Sequence, residues 1–304
     1  MKAIATNSVP RHGYFAARPK TLTGAVIPVL TGSALAFADE AFNIIPALLC
    51  ALFACGMQIA ANFINDLFDF QKGTDRREDR LGPQRACAEG WITPAAMKTG
   101  IGIALTLSCL AGLAVLFTVW GSCPTELGTG GAGRGVHTVC FPLYHAALLS
   151  GWGDVLVLVF FGFVPVCGTY YVQAYTLNMD VVVLSLVSGL AIDTLLMVNN
   201  YRDREQDAVS GKCTLVVRYG KKFGENMYLA LGIAAVLLCF WFVYTGKLTP
   251  LEFIWAPCVY LCLHVLTWRR MVAIRSGKKL NSILGETSRN MLLFGLLLSL
   301  AFIL

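Results

Sequence analysis

Charged residues are scarce in this chain of 304 residues: they make up 14% of it, whereas apolar residues make up 56%. A soluble globular domain carries roughly 25% charged residues, so too few are present here to cover a surface that faces water. This shortage excludes an ordinary cytosolic enzyme, a disordered chain and a nucleic-acid-binding module. The mean hydropathy of +0.64 indicates a protein that crosses the membrane several times.

Metal-binding cysteine patterns and a cleavable leader are also missing. The eleven cysteines include no CxxC pair and the four histidines are scattered, which argues against zinc. The first twenty residues are polar and basic and lack the apolar core of a signal peptide. We therefore expect the first apolar run to remain in the protein as a membrane helix.

Apolar runs near the 20 residues needed to span a bilayer dominate the rest of the chain. They predict an all-α, polytopic membrane helix bundle that forms a single domain over residues 1–304. Eight runs are clear, and they begin at about Leu22, Ile44, Ala95, Asp154, Val181, Met227, Leu251 and Asn290.

The basic residues predict a ninth span. All Lys and Arg residues except Arg134 and Lys247 fall into four blocks, at the N-terminus and after the second, fifth and seventh clear runs. The positive-inside rule places all four blocks on the cytoplasmic face, which requires one more crossing between the second and third blocks. Nine helices are therefore expected, the fourth of them in a degraded, glycine-rich segment at 121–150.

Two polar clusters interrupt the apolar helices on the predicted cytoplasmic side. Asn62, Asp66 and Asp69 have the i, i+4, i+7 spacing of one helical face. A second face carries Asn200, Asp203 and Asp207. Acids at membrane depth are costly unless they meet a cation or a cavity, and Mg²⁺ prefers carboxylates together with substrate phosphates. The clusters predict a Mg²⁺–diphosphate site.

The run Asn65-Asp66-x-x-Asp69-x-x-x-Gly73-x-Asp75, followed much later by Asp203-x-x-x-Asp207, resembles the two aspartate motifs of the UbiA-type intramembrane prenyltransferases. The spacing of Gly73 and Asp75 is closest to the menaquinone-pathway branch of that family. The resemblance implies that an isoprenyl diphosphate binds through Mg²⁺ and ionises. Its allylic cation would then alkylate 1,4-dihydroxy-2-naphthoate with loss of CO₂ and pyrophosphate, giving demethylmenaquinol.

The same resemblance assigns roles to individual residues. Catalysis and metal binding fall to Asp66, Asp69, Asp203 and Asp207, and Asp75 joins them as a metal ligand. Substrate binding falls to Asn62, Asn65, Lys72, Arg202, Lys212, Asp193 and Arg18. Arg18 binds either the acceptor carboxylate or the membrane interface as an anchor. Asp193 accepts a hydroxyl proton from the acceptor, holds a basic residue or is a structural, hydrogen-bonded acid. For Lys72, Arg202 and Lys212 the alternative to binding diphosphate is a cytoplasmic anchor.

Other functions remain as alternatives. The acceptor could be 4-hydroxybenzoate or homogentisate, and a membrane transporter also places acids at broken helices. The expected partners are a polyprenyl diphosphate, the naphthoate and the lipid bilayer, without nucleic acid. The expected location is the bacterial cytoplasmic (inner) membrane, with the N-terminus and both motifs on the cytoplasmic side.

The segment 121–150 generates the first testable prediction. The composition changes abruptly from apolar to glycine-rich near Gly121 and reverts near Gly151, as two compensating frame slips would cause. A glycine-rich backbone in lipid leaves its polar groups without hydrogen bonds. We expect another reading frame of this interval to encode an apolar run that ends in a Tyr-x-x-Gly-Pro-like stretch. If neither frame does, the frame-slip hypothesis is wrong. A chain that truly carries this segment is expected to be less stable and weakly active or inactive.

Overall fold

In a computed structural model of the chain, the residues described are 13, 16–71, 81–82, 84–120 and 152–304. Within these ranges the chain forms helices and no strand, which confirms the all-α prediction. The helices, numbered in chain order, are α1 Pro19–Ala38, α2 Ile44–Gln71, α3 Pro94–Trp120, α4 Gly153–Ala174, α5 Met179–Val209, α6 Leu215–Tyr219, α7 Lys221–Tyr244, α8 Pro250–Ile274 and α9 Leu280–Ile303.

Every described helix except the short α6 is long and apolar enough to cross a membrane, which confirms the eight clear spans. The bounds differ most at two starts: α7 begins at Lys221 and α9 at Leu280, several residues before the apolar runs. The first turns of both helices are polar because they continue beyond the hydrocarbon layer. Hydropathy detects only the part of a helix that lies in lipid.

Helices α4 and α5 pack closely and antiparallel. A Cβ atom at Gly162 would lie 2.5 Å from the carbonyl oxygen of Ser185 and 3.1 Å from the Cα atom of Gly189. Glycine is therefore required at this crossing. The approach occurs in a π-helical turn of α4, Leu158–Phe163, and such turns are frequent near functional sites. Because Leu158 packs against Gly189, the first turn of α4 lies beside the middle of α5.

Helices α2 and α3 form an antiparallel hairpin. A Cβ atom at Gly112 would lie 3.2 Å from the ring of Phe53, and this register places Trp120, at the end of α3, level with the start of α2. The start of α2 also contacts the end of α4, since the backbone N–H of Asn43 donates to Gln173 Oε1 at 3.1 Å. Trp120 and the first residue of α4 therefore lie towards opposite ends of the bundle, as nine crossings require. The predicted fourth helix at 121–150 lies outside the described residues.

A polar network closes the end of the bundle that contains Asn43. Asp39, just after α1, pairs with Lys247 in the loop between α7 and α8. The hydroxyl of Tyr170 on α4 donates to Asp39 at 2.5 Å, and the Asn178 amide donates to the Tyr170 hydroxyl at 3.2 Å. Burial alone would raise the pKa of Asp39, but the bonds from Lys247 and Tyr170 outweigh it and leave this pKa below its usual value. The carboxylate thus joins α1, α4 and α7.

This network generates a stability prediction. Because the pKa of Asp39 is lowered in the folded state, its contribution is complete above the unfolded pKa of about 3.9 and is lost as the pH falls through the folded value. We expect Lys247→Met to reduce stability at pH 7 by about 1 kcal/mol and to flatten the fall in Tm below pH 4. The measurement is Tm in detergent at several pH values.

The matched control is Lys98→Met, which removes an exposed lysine at the start of α3 and should leave both quantities unchanged. An equal fall in Tm for the two variants would mean that the Asp39–Lys247 pair does not hold these helices together.

Candidate functional site

The opposite end of the bundle carries the acids of the first cluster, on the last turns of α2. Asp66 is only 1% exposed. Its carboxylate accepts the backbone N–H groups of Ala86 at 2.9 Å and Cys87 at 3.1 Å. Burial and the neighbouring Asp66 raise the pKa of the Cys87 thiol to about 12, so this cysteine stays a neutral thiol. Asp66 therefore fixes the loop before α3 against α2.

Asp69, one turn further along α2, has a basic partner in the same loop. The Arg85 guanidinium lies 2.5 Å from the Asp69 carboxylate. The Arg85 side chain is 10% exposed and the Asp69 side chain 38%, so the acid faces the aqueous side. Sequence reasoning missed Arg85 because its pairing depends on the turn of the loop, and the only signal was its place in a basic block.

Asn62 joins α2 to the start of α1. Its amide nitrogen donates to the carbonyl of Ala17 and to the hydroxyl of Thr21, both at 2.9 Å. Arg18 lies between these two partners and precedes the first turn of α1. Asn62 is thus placed to position Arg18, while Asn65 is exposed on the same helix. Lys72 and Asp75 lie outside the described residues.

Arg202 is the most highly connected residue of the second cluster. Its guanidinium binds both oxygens of the Asp203 carboxylate, at 2.7 and 2.6 Å. It also donates to the side-chain oxygens of Asn199 at 2.6 Å and Asn281 at 2.9 Å. Arg202 is 4% exposed, so these contacts are screened little by water. They hold the guanidinium in a single orientation.

Asn281 connects the two clusters. It accepts from Arg202, and its amide nitrogen donates to the carbonyl of Leu81 at 2.7 Å. Leu81 belongs to the segment that follows the first aspartate motif, and Asn281 lies on the first turn of α9. Sequence reasoning assigned no role to Asn281, because its partners lie on a distant helix and loop. The structure brings the two motifs to one end of the bundle through this side chain.

Asp207 completes the second cluster near the end of α5. It pairs with Lys212 at 3.5 Å, and its side chain is 12% exposed. Its Oδ2 atom is buried without a hydrogen-bond partner in the described part of the chain. Asp207 is therefore the acid of the two clusters that retains a buried acceptor atom for a further ligand.

The described residues include no group of three His, Cys, Asp or Glu side chains within reach of one metal ion. Instead, each of three acids has a basic partner: Asp69 pairs with Arg85, Asp203 with Arg202 and Asp207 with Lys212. These carboxylate oxygens are nevertheless the hard donors that Mg²⁺ prefers, and the unpartnered Asp207 Oδ2 is an available ligand. The donor set fits Mg²⁺ held together with a diphosphate.

Asp193 lies deeper in the bundle, two turns before Asn200 on α5. It is 1% exposed, and the contact of Leu158 with Gly189 puts Asp154 of α4 at the same level of the bundle. Sequence reasoning treated Asp193 as an isolated acid, and Asp154 received no role. The pairing follows from the α4–α5 register, which sequence spacing does not reveal.

Taken together, fold and site define a multi-pass helical membrane protein with a polar site of paired acids and cations at one end. A model of the UbiA prenyltransferase family matches residues 25–296. A relative called 1,4-dihydroxy-2-naphthoate octaprenyltransferase in Haemophilus influenzae is 31% identical over 95% of this chain and 94% of its own. The protein of that name in Escherichia coli is 36% identical, covering 73% of this chain and 72% of its own.

The fold agrees with solved structures. A UbiA homolog from Archaeoglobus fulgidus bound to GPP and Mg²⁺ superposes with a TM-score of 0.65 at 15% identity, covering 96% of this chain and 99% of the homolog. The chain belongs to the UbiA prenyltransferase family. It is accordingly an intramembrane prenyltransferase.

The Asn281 bridge generates a prediction about ligand affinity. Replacing Asn281 with Ala removes its hydrogen bonds to Arg202 and Leu81, so this side chain no longer connects the two motifs. We expect the affinity for a non-hydrolysable prenyl thiodiphosphate with Mg²⁺ to fall about tenfold, the equivalent of one charge-assisted hydrogen bond. The measurement is equilibrium binding to the purified protein.

Ser282→Ala is the matched control, because Ser282 is the next residue and bonds only the local carbonyl of Lys279. It should bind the thiodiphosphate as the parent does. Unchanged affinity in Asn281→Ala would show that the bridge does not set the spacing of the motifs.

Proposed function

We propose that this protein transfers a polyprenyl group from an isoprenyl diphosphate to 1,4-dihydroxy-2-naphthoate, releasing pyrophosphate and CO₂ and forming demethylmenaquinol. The observation that carries this proposal is the meeting of the two aspartate motifs at one end of a membrane bundle, through Arg202 and Asn281. The names of the two bacterial relatives support the naphthoate as acceptor.

The acids and the cations of the site have different roles. Asp66, Asp69, Asp203 and Asp207, with Asp75, are the residues that would hold Mg²⁺. When bound, Mg²⁺ supplies Lewis-acid stabilisation of the departing pyrophosphate. Arg85, Arg202 and Lys212 lie beside these acids. They would bind phosphate oxygens when the carboxylates hold Mg²⁺. Asn65 lies near the same end of α2, and Lys72 follows that helix in the sequence.

The remaining steps depend on the bundle interior. An allylic cation survives only where water is excluded, and the apolar spans provide such a chamber. Arg18 at the start of α1 pairs with the carboxylate of the acceptor, and Asn62 holds the backbone beside it. The carboxylate-bearing carbon of the electron-rich ring then attacks the allylic cation. Loss of CO₂ from that carbon restores the aromaticity of the ring.

The location follows from charge. The basic blocks of the sequence lie beside both motifs, so the positive-inside rule puts the site on the cytoplasmic face of a bacterial inner membrane. Reporter fusions or cysteine labelling at Glu40 and at Lys278, which lie at opposite ends of the bundle, would test this orientation. Accessibility of Lys278 from outside the cell would contradict it.

Identification of the product tests the function. Membranes containing the protein receive Mg²⁺, a polyprenyl diphosphate and, separately, 1,4-dihydroxy-2-naphthoate, 4-hydroxybenzoate or homogentisate. We expect a prenylated product, detected by mass, from the naphthoate alone. Prenylation of one of the other acids would replace the proposed acceptor. If this chain gives no product, segment 121–150 is exchanged for the matching segment of the Haemophilus influenzae relative; no product from either protein contradicts the proposal.

Variants of the second motif test the site. Asp207→Asn keeps the shape of the side chain and removes its charge, so we expect turnover to fall at least a hundredfold, about 2.7 kcal/mol. Membrane insertion should be unchanged. Glu40→Gln, an exposed acid at the far end of the bundle, is the control and should retain full turnover. Full turnover in Asp207→Asn would remove Asp207 from the metal site.

A further inference from the structure

Two carboxylic acids meet inside the bundle, away from the aspartate motifs. Asp154 on α4 is 7% exposed and Asp193 on α5 is 1% exposed. One oxygen of each carboxyl group, Oδ1, is buried without a hydrogen-bond partner in the described ranges. The α4–α5 register, in which Leu158 packs against Gly189, places Asp154 at the level of Asp193. An ionisable group in this position is costly in a membrane and indicates function.

Several other buried polar side chains in the described part of the bundle are paired. Asn290 donates to the Thr267 hydroxyl at 2.8 Å, and the hydroxyls of Tyr228 and Thr287 are 2.9 Å apart. A buried acceptor left without a donor costs more than a hydrogen bond contributes. The unpaired oxygens of Asp154 and Asp193 therefore call for a donor beyond the described residues, and a bound ligand can supply it.

The level of the pair along the bundle suits the aromatic acceptor. Asp193 precedes Asp203 by ten residues on one helix, which places it about 15 Å deeper than the diphosphate end. That depth accommodates a diphosphate and a fused aromatic ring, one after the other. Asn200 lies on the same face of α5, between the two levels.

Helix α1 relates this pair to Arg18. A Cβ atom at Gly24 would lie 3.8 Å from Ile192, the neighbour of Asp193. Six residues separate Gly24 from Arg18, about 9 Å along the helix. An acceptor whose carboxylate pairs with Arg18 therefore extends its ring towards Asp193.

We propose that Asp154 and Asp193 form the binding site for the ring hydroxyl remote from the acceptor carboxylate. This inference rests on the proposed function. In 1,4-dihydroxy-2-naphthoate the 1-hydroxyl already donates to the adjacent carboxylate, so the 4-hydroxyl is the free donor. The pair accepts that hydrogen bond and selects dihydroxylated acceptors, because an analogue without this hydroxyl leaves the buried acids unpaired.

Binding of two ligands to the full chain tests the proposal without requiring turnover. The probes are 1,4-dihydroxy-2-naphthoate, kept anaerobic, and 1-hydroxy-2-naphthoate, which lacks only the 4-hydroxyl. We expect the parent protein to prefer the dihydroxy compound by about ten- to a hundredfold, the cost of leaving a buried polar group unpaired. Asp193→Leu should reduce this preference to less than about threefold, and Asp193→Asn should give an intermediate value.

Ser188→Ala is the control, since Ser188 is a buried polar residue of α5 that bonds Thr31. It should keep the parental preference. If Asp193 were purely structural, Asp193→Leu would lower Tm and weaken the binding of both ligands equally. The proposal instead predicts a Tm no lower than that of the parent, because the variant removes an unpaired buried acid.

Three outcomes would overturn the inference. Equal affinity of the parent for the two ligands, or an unchanged preference in Asp193→Leu, rejects the hydroxyl site while leaving the proposed function intact. Failure of both naphthoates to bind rejects the proposed acceptor together with the site.

Discussion

The bidentate pair between Arg202 and Asp203 is the interaction on which the polar end of this bundle depends. These residues are adjacent on α5, and their orientation is set by Asn199 on the same helix and by Asn281 on α9. Through Asn281 the arrangement reaches Leu81, beyond the first motif. Two motifs far apart in the sequence are thereby connected through the side chains of Arg202 and Asn281, which brings them together at the junction of α2, α5 and α9.

The membrane environment explains why the acids are so thoroughly balanced. Charge is costly in or near a hydrocarbon layer, and Asp69, Asp203 and Asp207 each have a cation beside them. Asp66, which is fully buried, is satisfied by two backbone N–H groups instead. The same cations suit phosphate, so the arrangement that stabilises the protein without ligand also prepares it for an anionic substrate. Among the described residues, the deeper acids Asp154 and Asp193 depart from this pattern.

The two ends of the bundle have different tasks. The network around Asp39, Lys247 and Tyr170 ties together helices far from the chemistry. The close crossing of α4 and α5 at Gly162 fixes the register between them. The register at this crossing matters because α5 carries the second motif, Asn200 and Asp193 along one length.

Much of this protein was determined by its sequence alone. The length and apolarity of the runs require membrane helices, because a bilayer admits only backbones that satisfy their own hydrogen bonds. The spacing of Asp66 with Asp69, and of Asp203 with Asp207, puts each pair on one helical face for the same geometric reason. The partners of those acids were decided by tertiary structure. Arg85, Asn281 and Asp154 reach their positions through loop turns, a distant helix start and a glycine crossing, and no local period in the sequence encodes which helices meet.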